Sequence, residues 1–288
     1  MRGIIAAVPT PVDSNLTFQS APYLEHAKWA LANGCDGLNI LGSTGEANSF
    51  DSATRKTVMA CAAGELDRAR LMVGTATPSL AETIAMTGHA DDLGYSVALV
   101  LPPYYYKPVS ETGLYNWYRT LHEALGARKI AIYFYNYPQM TGIVIPVSVI
   151  ARLAVDFPDR FRGIKDSSGD LDYCRAIVAA NSGLAVFPSS ETALGVARAD
   201  GFAGCISATV NASAPLCARF WSGKETSPGT AERIAGIRSD IAAQPLIPAV
   251  KHMVARRSGD PIWANVVPPF APLTADGRAA LDRIDPGA

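Results

Sequence analysis

The sequence predicts an α/β fold, a (β/α)8 TIM barrel with a C-terminal helical extension. Three observations predict it. Short apolar runs alternate with longer amphipathic stretches, the apolar runs number eight, and beyond the eighth unit only helical patterning remains. Strands that alternate with helices pair in parallel through right-handed crossovers. Near-continuous apolar strands favour a closed barrel over an open doubly wound sheet.

The first strand is expected over residues 4–8, stopped by Pro9, with a helix over 21–32 closed by Gly34. A second strand over 38–41 leads to a helix over 52–66. The third, over 71–73, meets Gly74 and precedes a helix over 80–93 that stops at Gly94. The fourth, over 97–101, runs into the rigid aromatic loop Pro102-Pro103-Tyr104-Tyr105-Tyr106-Lys107-Pro108 and a helix over 111–125. The fifth and sixth, over 130–135 and 162–164, are followed by helices over 147–154 and 171–180. The seventh, over 185–187, leads to a helix over 192–199, and Gly201 introduces the eighth over 203–206. Each helical stretch presents apolar residues three and four apart, and Gly or Pro marks most joins. Helices over 230–243, 246–257 and 275–284 form the remainder. The division expected is a catalytic barrel over 1–224 and a helical region over 225–288 packed on it.

A length of 288 residues suffices for about 75% of the unfolded chain's surface to be buried. The hydrophobic fraction of 49% and charged fraction of 18% exclude a solvated disordered chain and suit extensive burial, a subunit interface included. The formal net charge of −1 provides no field to hold phosphate backbones, so nucleic acid is not an expected partner. The apolar run at 4–8 is short for a signal peptide, and no run approaches the ~18 residues of a membrane span. The five cysteines form no C-x-x-C pair, and four sit among apolar residues. A reduced, cytoplasmic protein with buried thiols is expected.

Chemistry in such a barrel sits where strands end at the C-terminal face. After the second strand stands Gly42-Ser43-Thr44-Gly45-Glu46. Two adjacent hydroxyls and backbone N–H groups between glycines can hold a carboxylate, or can form a plain strand-to-helix turn. After the fifth strand, Tyr135 offers a phenol able to relay protons, whereas Tyr133 and Tyr137 are expected to pack the mouth. After the sixth comes Gly163-Ile164-Lys165-Asp166. Of seven lysines, Lys165 alone directly ends an apolar strand. A lysine aimed into a barrel mouth sheds hydration, which favours the neutral amine that attacks a ketone, unless a carboxylate such as Asp166 pairs with it. Cradle, phenol and amine on one mouth suit a 2-oxo acid. The four histidines are scattered without H-E-x-x-H spacing, so no metal is expected.

In their order and spacing these segments resemble the dihydrodipicolinate synthase and N-acetylneuraminate lyase superfamily of Schiff-base aldolases. The likeness runs from Gly3-Ile4-Ile5 and Pro9-Thr10-Pro11 through the Gly42–Glu46 cradle, Pro103-Tyr104-Tyr105, Tyr135-Asn136-Tyr137-Pro138 and Gly163-Ile164-Lys165-Asp166-Ser167-Ser168-Gly169 to Gly204-Cys205-Ile206-Ser207. The resemblance implies a tetramer built as a dimer of dimers. It implies Lys165 as the Schiff-base lysine, Tyr135 as the proton shuttle linked to Ser43 and Tyr105, and Ser43 and Thr44, with Gly45, at the substrate carboxylate, Ser43 serving also in the proton relay. Tyr105 would be lent across the tight dimer, and Ile206 would lie beside the bound keto acid.

Departures bear on the substrate. Dihydrodipicolinate synthases typically carry an arginine where Met140 stands, and threonine where Ser43 stands. A thioether cannot supply the forked donor that receives aspartate semialdehyde. Sialate lyases carry a paired Asp-Glu absent from Ser189-Ser190-Glu191, and a serine at Ala208. The Tyr-Asn-Tyr-Pro-x-x-Thr-Gly run is most similar to 2-keto-3-deoxygluconate aldolases. Met140 with a polar wall at Ser189, Ser190 and Glu191 therefore suggests a short sugar-derived aldehyde without a strongly bound second carboxylate. The expected activity is a cofactor-free lyase of pyruvate or a 2-keto-3-deoxy sugar acid acting through an imine on Lys165. The alternatives are dihydrodipicolinate synthase itself with another residue replacing the missing arginine, a dehydratase or deaminase of a 2-oxo acid, and a non-catalytic 2-oxo-acid-binding barrel.

Overall fold

A computed structural model describes residues 1–286. Eight strands and their helices follow in the predicted alternation: β1 (Gly3–Ala7), α1 (Ser20–Ala32), β2 (Gly37–Ile40), α2 (Ser52–Glu65), β3 (Leu71–Gly74), α3 (Leu80–Asp92), β4 (Val97–Val100), α4 (Glu111–Leu125), β5 (Ala131–Asn136), α5 (Pro138–Thr141), α6 (Val147–Asp156), β6 (Phe161–Asp166), α7 (Leu171–Ala180), β7 (Ala185–Pro188), α8 (Leu194–Ala197) and β8 (Gly204–Ser207). All neighbouring strands pair in parallel in the order β7-β6-β5-β4-β3-β2-β1-β8. At the remaining seam the Ala203 N–H donates to the Val186 carbonyl at 2.8 Å, which nearly closes the barrel.

Local chemistry explains the helix starts. Asp51, Ser79, Ser110 and Asp170 each accept a backbone N–H from the first turn of the helix that follows. On the outer side of the sheet, Phe134 packs between Tyr118 of α4 and Phe161 of β6, with ring centroids 4.9 and 5.2 Å away. The cysteines are free, and four of the five are buried.

The structure differs from the sequence reading at β6, at α8 and at residues 210–221. Strand β6 runs two residues further than predicted, to Asp166, because Lys165 and Asp166 join the ladder opposite Tyr135 and Asn136 despite their polarity. The helix expected over 192–199 is a 3-10 turn, Glu191–Ala193, followed by the four-residue α8; Gly195 in its middle lowers helical propensity. Residues 210–221, assigned no helix from sequence, form α9 (Val210–Trp221), with Pro215 inside it. The predicted C-terminal helices are present as α10 (Thr230–Ala242), α11 (Leu246–Ser258) and α12 (Ala275–Asp282). No helix among the described residues is long and apolar enough to cross a membrane.

Candidate active site

The C-terminal ends of β2, β5, β6, β7 and β8 surround a cavity of about 280 Å³, lined by Ser43, Thr44, Tyr135, Lys165, Ser189 and Ile206 among others. Lys165 and Tyr135 are Cα partners in the β5–β6 ladder, so their side chains leave the sheet on the same side. Both are buried. The Lys165 Nζ donates to the Tyr135 hydroxyl at 3.1 Å, and the Tyr135 hydroxyl stands 3.4 Å from Ser43 Oγ. Asp166 does not pair with Lys165. Its carboxylate accepts from Asn136 Nδ2 at 2.7 Å and from the Ser168 hydroxyl at 2.7 Å, on the opposite face of the strand. Burial raises the Asp166 pKa above the ordinary carboxylate value, against the pull of those hydrogen bonds. Among the described residues no carboxylate forms an ion pair with Lys165.

The cradle is held open by its own turn. Leu41 and Glu46, on either side of it, both take left-handed φ values, 51° and 54°. Inside it, the Gly45 N–H is committed to the Gly42 carbonyl at 3.0 Å and the Glu46 N–H to the Ser43 carbonyl at 3.1 Å. The amides of Ser43 and Thr44 and the Thr44 hydroxyl carry no protein partner among the described residues. Ser43 and Thr44 line the cavity, and uncommitted donors on its wall are what a carboxylate requires. Gly45 offers no free donor. It serves by its missing side chain, since a Cβ there would lie 3.1 Å from the Val8 carbonyl.

Glu46 anchors the cradle from below. It forms an ion pair with Lys251 of α11, both side chains sealed from solvent, and accepts the Val267 N–H at 2.7 Å. Burial lowers the Lys251 pKa, with Glu46 opposing the shift.

The remaining predicted residues divide. Ile206, Ser189 and Met140 line the cavity, Met140 from the exposed helix α5. Tyr137, expected only to pack, stacks on Tyr135 at 5.7 Å and also lines the cavity. Tyr133 packs as expected, against Phe187. Tyr105 does not enter this cavity; it is 72% exposed and packs edge-on against Tyr106. Glu191 is not a wall residue. Its carboxylate is fully buried, accepting from Ser207 Oγ at 2.6 Å and from Thr209 Oγ1, and pairing with Arg238 Nη1 at 3.0 Å.

Arg238 is the residue the sequence reading missed. It reaches the cavity from α10, joined there by Pro245, Leu246, Ile247 and Phe270. A signal was present: Ile234, Ile237 and Ile241 are the buried stripe of α10, and Arg238 falls in the i+4 position of that stripe, where an apolar residue is expected. No group of three or more His, Cys, Asp or Glu that could hold a metal occurs among the described residues.

The chain matches the Dihydrodipicolinate synthetase family over residues 1–284. It is 31% identical over 286 residues to an uncharacterized DapA-like lyase of Chloroflexus aurantiacus, covering 97% of this chain and 94% of that one. It is 33% identical over 233 residues to a 4-hydroxy-tetrahydrodipicolinate synthase of Rhodospirillum centenum, covering 76% and 74%. The crystal structure of dihydrodipicolinate synthase from Agrobacterium tumefaciens superposes with a TM-score of 0.90 at 27% identity, covering 98% of this chain and 97% of that one.

Proposed function

We propose that this chain, which belongs to the dihydrodipicolinate synthetase family and is a lyase of that family, forms an imine between Lys165 and pyruvate or a 2-keto-3-deoxy sugar acid. The observation that carries the reading is a buried Lys165 with no carboxylate partner among the described residues, bonded instead to the Tyr135 phenol at 3.1 Å. An amine so placed attacks the ketone carbon, and water leaves as the imine forms. The protonated imine draws electrons from the adjacent carbon, so a carbon–carbon bond there can break to release an aldehyde, or form in reverse. Tyr135, in reach of both Lys165 and Ser43, carries protons between amine, substrate and hydroxyl. The free amides of Ser43 and Thr44 and the Thr44 hydroxyl receive the carboxylate, and Ile206 flanks the keto acid.

Residues 1–224 act in this reading as the catalytic barrel, and 225–286 as a helical region that completes the rim through Arg238, Leu246 and Phe270, the last two residues of the expected region lying outside the described ones. The exposed Tyr105 is offered to a second copy in a dimer of dimers. Free, mostly buried thiols suit a cytoplasmic setting.

Borohydride reduction with pyruvate, followed by mass mapping, tests the mechanism. A pyruvyl adduct on the peptide containing Lys165 is expected, and an unmodified Lys165 defeats it. A second reading, 4-hydroxy-tetrahydrodipicolinate synthase, is favoured by one observation: Arg238 returns to the cavity a guanidinium of the kind missing at Met140. Turnover of pyruvate with aspartate semialdehyde, in a coupled assay, separates the two.

A further inference from the structure

Arg238 lines the same cavity as Lys165, and the role given to it here rests on the imine reading above. We propose that Arg238 forms a second subsite of this cavity that selects acceptor aldehydes, or the corresponding 2-oxo acids, whose distal carbon carries an anionic oxygen pair.

Nothing in the barrel motifs assigns a role to this arginine, which comes from the C-terminal region. Its Nη1 is committed three ways, to Glu191 Oε2 at 3.0 Å, Ser207 Oγ at 3.0 Å and Thr209 Oγ1 at 2.9 Å. Ser207 and Thr209 in turn donate to the Glu191 carboxylate. Glu191 is fully buried, so this network cannot relax into water. Arg238 itself is 25% exposed and lines the cavity that holds Lys165. Its Nη2 and Nε have no hydrogen-bond partner among the described residues. One nitrogen therefore fixes the plane of the guanidinium and leaves its other donors free. A planar fork held in this way loses little freedom on binding, and its geometry matches two oxygens of a carboxylate or phosphate.

The surroundings sharpen the choice. Glu191 neutralises the charge of Arg238, so the subsite does not collect anions at long range; it discriminates by geometry at contact. The nearby wall of Pro245, Leu246, Ile247 and Phe270 supplies no side-chain donors for a string of hydroxyls. Met140, at the rim, supplies none either. Beyond the cradle, Tyr135 and Lys165, the cavity's other lining side chains with polar hydrogens are the single hydroxyls of Tyr137, Ser167 and Ser189, whereas Arg238 offers a fork, and the ligand that uses a fork fully is an oxygen pair. On this proposal a second anion is held, against the expectation drawn from Met140.

The test is a panel of aldehydes of equal length offered with pyruvate, ending in a carboxylate, a phosphate or a hydroxymethyl group. The wild type is expected to prefer a terminal anion over the neutral end by at least about tenfold in kcat/KM, and the better of the two anions identifies the source. Arg238→Gln is expected to lower that preference by about ten- to a hundredfold, chiefly through KM, with Arg238→Lys intermediate because it keeps charge but not the fork. If Arg238→Gln fails to fold, Glu191→Gln/Arg238→Gln removes the buried charge with its partner and takes its place. No preference in the wild type, or a preference untouched by the substitution, overturns the proposal. A wild type that forms no borohydride adduct with pyruvate overturns the imine reading instead. Calorimetric titration with a dicarboxylate then decides the subsite by itself: binding lost in Arg238→Gln supports it, and binding unchanged or absent from the wild type overturns it.

Discussion

Tyr135 and Lys165 face each other as Cα partners in adjacent strands, and the lysine Nζ donates to the phenol oxygen across 3.1 Å. A register shift at Ile132/Tyr133 precedes this pairing. Because side chains alternate between the two faces of a strand, a slip of one residue there would turn Lys165 away from the cavity. The pair thus depends on strand register as much as on residue type.

Tyr135→Phe keeps the ring and its stack on Tyr137 but removes the hydroxyl that bridges Lys165 and Ser43. The expected result is a fall in kcat of about a hundred- to ten-thousandfold with an unchanged unfolding midpoint. Steady-state kinetics beside thermal melting checks it. Activity within a few-fold of wild type would exclude the phenol as proton carrier.

Ser43 stands 3.4 Å from the phenol, further than Lys165 does. Ser43→Ala is therefore expected to cost less than Tyr135→Phe, on the order of tenfold in kcat. Ser43→Thr restores a hydroxyl and is expected to recover most of the loss. A Ser43→Ala variant as impaired as Tyr135→Phe would place Ser43 on the main proton path.

Lys251→Met leaves the Glu46 carboxylate buried beneath the cradle without its cation. Removing one partner of a buried pair costs about 3–5 kcal/mol, whereas replacing both can be close to neutral. Urea unfolding is expected to show that loss for Lys251→Met and a large recovery for Glu46→Gln/Lys251→Met. Equal stability of the single variant and wild type would mean the pair contributes nothing.

His26 is buried and neutral. Its Nε2 lies 2.8 Å from Asn211 Oδ1, and its Nδ1 accepts from Arg257 Nη2 at 3.1 Å. Burial, reinforced by the Arg257 charge and opposed by the Asn211 bond, lowers its pKa from 6.5 to about 4. The unfolded chain thus binds a proton that the folded chain refuses between those values. The associated stability is fully present above pH 6.5 and is lost as pH falls toward 4, by about 3 kcal/mol in total. Urea unfolding at pH 7 and pH 4.5 is expected to show most of this loss, and His26→Gln to flatten the difference. An equal pH dependence in wild type and variant would assign the acid sensitivity elsewhere.

Apolar periodicity by itself determined the eight strands, their order and most helix bounds within two residues, as at α4 and α7, where prediction and structure coincide. It also singled out Lys165, Tyr135 and Ser43, because a polar group at the end of a buried strand has few places to go but the mouth. Periodicity reports which face of an element is buried, not which distant side chain it meets there. Only the folded arrangement could choose Tyr135 of β5 over Asp166 as the partner of Lys165, since Asp166 leaves β6 on the face opposite to Lys165. Likewise it drew Glu191 inward and carried Arg238, 47 positions along the chain, across to it. Charge pairing between α10 and the β7–α8 turn is set by how helices pack on the rim, and no local pattern in either segment encodes that distance.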